Sequence, residues 1–95
     1  MSSSPLTTRQ PDSLSQTKRY RTTIFNNDHT TMDTVVSILM RATGCSAEEA
    51  YIEMWEAHTF GKADVHFDTR EMCERAARII RTAGVEAEVR LEWDD

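Results

Sequence analysis

The stretch "VEAEVRLEW", residues 85–93, alternates without a break: Val85, Ala87, Val89, Leu91 and Trp93 fall on one face, Glu86, Glu88, Arg90 and Glu92 on the other. Only a period of two segregates them so cleanly, which makes the segment a strand. One side of that strand can be wet and the other cannot, so the chain must build a second layer to cover it. Two further strands share this character. "KRYRTTIF" is rich in β-branched and aromatic residues, with Tyr20, Thr22 and Ile24 on one face and Arg21, Thr23 and Phe25 on the other. "KADVHF", residues 62–67, sets Ala63, Val65 and Phe67 inward and Lys62, Asp64 and His66 outward.

The covering layer is helical. Met32, Val35, Val36, Leu39 and Met40 recur at helical spacing behind an N-cap at Thr30 or Thr31, and Gly44 ends the run. "SAEE", residues 46–49, is a capping box that opens a second helix closed by Gly61. Its inward candidates are Ala47, Ala50, Tyr51, Met54, Ala57 and His58. Asp68 or Thr69 caps a third helix with the stripe Met72, Ala76, Ile79, Ile80 and Ala83, ending at Gly84. The expected fold is α+β, a two-layer sandwich in which a three-stranded antiparallel sheet carries three helices on one face, in the order strand-helix-helix-strand-helix-strand. Residues 1–18 hold both prolines and only three large apolar side chains, Met1, Leu6 and Leu14, so they are expected to form a flexible N-terminal extension to a domain over residues 19–95.

Composition narrows the function. Sixteen acidic against eleven basic side chains give a net charge of -5, the wrong sign for gripping phosphates or an anionic membrane surface. Neither nucleic acid nor membrane is an expected partner; proteins, peptides and cationic groups are. Cys45 and Cys73 are too few and too isolated for a disulfide framework or a metal pair, so both are read as reduced thiols and no cofactor or metal is expected. No apolar run has the length of a membrane span and the N-terminus has no hydrophobic signal core, so a cytosolic location is expected.

"FNNDHTTM", residues 25–32, crowds six polar residues between Phe25 and Met32. Asx-turns and a helix cap use one or two of them, and a helix N-terminus has too few free NH groups to occupy the rest. On the second helix, Met54, Ala57 and His58 share one patch. Asn oxygen, a carboxylate and a neutral imidazole nitrogen together suit an ammonium group, although spacing by itself names no ligand.

The segment "YRTTIFNNDHTTMDTVVSIL" followed by "EMWEAHTFGKADV" resembles the ClpS family, adaptors that deliver substrates with destabilising N-terminal residues to Clp AAA+ proteases. The resemblance implies that Asn26, Asp28 and His58 bind the free α-amino group of a substrate. It further implies a side-chain pocket walled by Ile24, Thr30, Met32, Met54, Ala57 and Ala87, with Met32 as a gate at its mouth, and a contact from Glu71 to the N-terminal domain of a Clp-type unfoldase. Asn27 replaces an Asp usual in the family, and Ala76 stands where a docking Lys is frequent. Ala57 and Ala87 are smaller than the family's usual residues, so a wider pocket that favours Phe, Tyr and Trp over Leu is expected. Asn27 and His29 are expected to accept substitution. No enzyme is implied, since no activated nucleophile accompanies Asp28 and His58. The alternative reading is a docking-only modulator of the unfoldase without N-terminal recognition.

Overall fold

The structure is a computed structural model that describes residues 19–92. The expected extension over residues 1–18, and Trp93, lie outside the described residues. Six elements follow in the expected order: β1 (Tyr20–Phe25), α1 (Met32–Thr43), α2 (Ala47–Phe60), β2 (Lys62–Asp68), α3 (Arg70–Arg81) and β3 (Ala87–Leu91). The sheet is antiparallel throughout with strand order β2-β1-β3, and three helices complete the α+β sandwich.

As the central strand, β1 has Thr22, Thr23 and Ile24 all buried. The expected alternation left Thr23 outside. It is covered instead by Asp64, whose carboxylate accepts from the Thr23 hydroxyl at 2.6 Å and lies 3.5 Å from Arg21. A second departure has one cause. Thr22 pairs with His66 but Thr23 pairs with Asp64, which makes Val65 an extra residue in β2. A bulge of one residue reverses the faces beyond it. Phe67, expected inward, is therefore exposed, with the Arg19 guanidinium 5.8 Å from its ring centroid.

Each helix starts on a hydroxyl. Thr31 caps α1, Ser46 and Glu49 form the capping box of α2, and Thr69 caps α3. The stripes shift in detail from the expected ones: Met40, Tyr51, His58 and Met72 are exposed, while Ile38, Cys73 and Ala77 are buried. Ala47, also expected inward, is exposed. Inside, Ile24, Leu39 and Ile80 are surrounded by Ala50, Ala57, Ala63, Ala77 and Ala87. Alanine at so many facing positions lets helix backbones lie close on the sheet, and the Thr22 hydroxyl ties the layers by donating to the Cys73 carbonyl at 3.0 Å.

Candidate functional site

β1 ends where its last residues can still bond sideways, and the chain must then cross to the start of α1. Two ties hold the crossing in place. The Asn26 N–H donates to the Gly61 carbonyl at 3.0 Å, fastening the loop to the end of α2. Gly61 itself has φ 93, the left-handed conformation that lets the chain leave α2 toward β2. The second tie is the Asn27 side chain. Its Oδ1 accepts from the backbone N–H groups of His29 and Thr30 at 3.0 and 2.8 Å, and its Nδ2 donates to the Gly84 carbonyl at 3.1 Å. The same carbonyl accepts from the Thr30 hydroxyl at 3.5 Å. Asn27 thus joins the loop to the α3–β3 turn, which corrects the expectation that it accepts substitution freely.

Between this loop, α1 and the end of α2 lies a cavity of about 330 Å³. Its floor is apolar and buried: Ile24 from β1, Met54 and Ala57 from α2, and Val85 from the segment before β3. Its mouth is polar, lined by Asn26, Asn27, Asp28, Thr30, Thr31 and His58, with Val35 and the 52 % exposed Met32 along the α1 side. The loop and α2 are far apart in sequence; the Asn26–Gly61 bond brings Asn26 beside the helix turn that carries His58. All three of Asn26, Asp28 and His58 line the mouth, and among the described residues none of them makes a side-chain hydrogen bond.

Eight of the nine residues expected at the two halves of this site therefore line one cavity. Ala87 does not. It is buried opposite Ile24 in the β1–β3 register, facing the core, and Val85, two residues earlier on the same face, reaches the cavity in its place. Val35 also escaped the sequence reading as a wall residue, although its spacing of three from Met32 puts the two on one helix face. Glu71 lies on the first turn of α3, exposed and outside the cavity. Ala76 is buried beneath that helix and presents nothing to a docking partner.

One carboxyl on the helix that supplies Met54, Ala57 and His58 stands apart electrostatically. Glu53 is half-buried with Oε1 unpartnered, and burial, reinforced by Glu49 and Glu56, pushes it up to about 7. Among the described residues no group of three side chains could hold a metal ion, and no helix is long and apolar enough to cross a membrane.

Residues 15–92 match the family described as "ATP-dependent Clp protease adaptor protein ClpS". The chain belongs to the ClpS family. Among curated ClpS proteins it is 44 % identical to that of Desulforapulum autotrophicum over 55 residues, covering 58 % of this chain and 53 % of that protein. It is 39 % identical to that of Hydrogenovibrio crunogenus over 57 residues, covering 60 % of this chain and 55 % of that one. The chain thus spans a little over half the length of these ClpS relatives. Its fold is similar to that of Agrobacterium tumefaciens ClpS2 bound to L-phenylalaninamide, with a TM-score of 0.73, 26 % identity and coverage of 79 % of this chain and 98 % of that one.

Proposed function

We propose that the protein is an adaptor that binds the free α-amino group and bulky apolar side chain of an N-terminal Phe, Tyr, Trp or Leu and delivers such substrates to a Clp AAA+ protease. One observation carries the reading: a single cavity has an apolar floor of side-chain size and, at its rim, three polar side chains that bear acceptor atoms, Asn26, Asp28 and His58. An ammonium group brings three donors and one positive charge, which that rim can receive without a metal. The ligand of the similar Agrobacterium protein, L-phenylalaninamide, has both features in one small molecule.

In this reading Ile24, Met54, Ala57 and Val85 hold the side chain, Thr30 and Met32 frame the entrance, and Glu71 on α3 contacts the unfoldase's N-terminal domain. Burial of a Phe-sized side chain contributes about 1.5 to 3 kcal/mol, and each charge-assisted hydrogen bond about 1.5 to 3 more. Association entropy offsets several kcal/mol of this, which leaves an affinity near micromolar, about -8 kcal/mol. Nothing is transformed: Asp28 and His58 act as ligands, with no nucleophile between them.

Titration with a short peptide beginning with Phe, free and N-acetylated, tests the assignment. Binding of the free form alone is the expected result. Equal binding of both removes the role of Asn26, Asp28 and His58. Binding of neither, with retained affinity for an unfoldase N-domain, leaves the docking-only modulator.

A further inference from the structure

α2 turns most of its large apolar side chains outward. It buries Ala50, Met54 and Ala57 against the rest of the domain, while Tyr51, Ile52, Trp55 and Phe60 stand 50 to 71 % exposed. A helix covered on one face ordinarily keeps the other for polar groups, and large apolar side chains gathered in the open mark a contact surface. These four are gathered. Tyr51 and Trp55 are one turn apart, Ile52 neighbours both at helical spacing, and the rings of Trp55 and Phe60 meet edge to face with centroids 6.1 Å apart. Tyr51 and Ile52 also wall a groove of about 750 Å³ whose other side is Asp33, Val36 and Ser37 of α1. Groove and substrate cavity share no lining residue, and Trp55 and Phe60 line neither, so this face is separate from the cavity.

Charge decides what can cover it. Glu48 and Glu56 stand one turn before and one turn after Ile52, Asp33 lies on the far wall of the groove, and neither α2 nor the groove carries a Lys or Arg. A second copy is a poor match for such a face. An antiparallel pair of α2 helices centred on Ile52 sets Glu48 of each copy against Glu56 of the other, and a parallel pair sets each Glu against its own counterpart. We infer that the outer face of α2, with its groove against α1, docks a basic amphipathic helix of a partner protein, one whose apolar stripe is flanked by Lys or Arg. Two helices side by side offer a trough in which the stripe of a third can lie. Tyr51, Ile52 and Trp55 receive the stripe, and Glu48, Glu56 and Asp33 meet the flanking cations. The contact needs neither the substrate cavity nor Glu71.

Two synthetic helical peptides of about 15 residues test the inference by titration calorimetry on the full chain. Both carry the same leucine stripe at i, i+3, i+4 and i+7; one has lysine at the remaining positions and the other glutamate. The lysine peptide is expected to bind at least about tenfold tighter than the glutamate peptide. Ile52→Ser/Trp55→Ser leaves the net charge unchanged and is expected to lose about tenfold in affinity for the lysine peptide, the scale of truncating interface anchors. Undirected attraction between opposite charges would survive that change. Glu48→Gln/Glu56→Gln keeps the apolar face and is expected to lose about threefold to tenfold at low salt. Thermal unfolding checks that both variants are folded. Equal affinity of the full chain for the two peptides, or undiminished binding of the lysine peptide by Ile52→Ser/Trp55→Ser, overturns the inference. So does a dimer of the full chain in analytical sedimentation that the same two substitutions dissolve, since the face then belongs to a second copy.

Discussion

Asn27 carries more of the site's geometry than its lack of a ligand role suggests. Its amide accepts from two backbone N–H groups and donates to the Gly84 carbonyl, so removing it frees both the loop and its attachment to the α3–β3 turn. Asn27→Ala is expected to lower stability by about 1 to 2 kcal/mol and to weaken Phe-peptide binding about tenfold, because Asn26 and Asp28 flank the freed position. Chemical denaturation and titration on the same sample check both; wild-type affinity would show that the loop holds its shape without the tie. Ala57 is the smallest side chain on the cavity floor, beside Ile24, Met54 and Val85. Ala57→Val is expected to narrow the floor and raise affinity for a Leu-first peptide relative to a Phe-first one by about fourfold, the value of roughly one methylene contact. An unchanged Phe-to-Leu ratio would place the specificity elsewhere.

At the scale of elements, Thr22 joins the sheet to α3 through its hydroxyl bond to the Cys73 carbonyl. That carbonyl lies inside the helix and keeps its helical partner when the hydroxyl is lost, so Thr22→Val is expected to cost only about 1 kcal/mol, or about 4 to 8 °C in melting temperature for a domain of this size. Scanning calorimetry decides it; an unchanged midpoint would mean that the valine's better strand packing offsets the bond. The same strand shows what the sequence could and could not tell. Alternation and capping residues mark all six elements, because both are local, and they put Ile24, Met54 and Ala57 on inward faces of their own elements; their meeting in one pocket follows only from the family resemblance. The bulge at Val65 is not local: it arises from the pairing of β2 with β1, and so alternation alone assigns His66 and Phe67 to the wrong faces. Likewise, Val85 and Ala87 fall on the same side of the sequence alternation, and only the pairing of Ala87 with Ile24, which starts β3 two residues after Val85, decides which of them reaches the cavity.

The molecule as a whole carries a net charge of -5, and α2 gathers Glu48, Glu49, Glu53 and Glu56 without a Lys or Arg among them. Glu53 is desolvated and faced by like charges, from Glu49 and Glu56, which raises it from an ordinary 4.5 to about 7. Folding thus takes up a proton at Glu53 between those two values, where the unfolded chain has already lost it. Stability is accordingly greatest below about pH 4.5 as far as this group is concerned, declines as the pH rises, and bears the full cost of the buried charge above about 7. Half of the side chain still meets water, so screening reduces that cost to about 1 kcal/mol. Glu53→Gln keeps the shape and removes the charge. It is expected to stabilise the protein by about 1 kcal/mol at pH 8 or so and to differ little from the wild type near pH 4.5, where Glu53 is already protonated when folded. Urea unfolding of both proteins across that range measures the gap directly. A gap that stays constant with pH would assign the effect to packing; one that closes on acidification assigns it to the proton on Glu53.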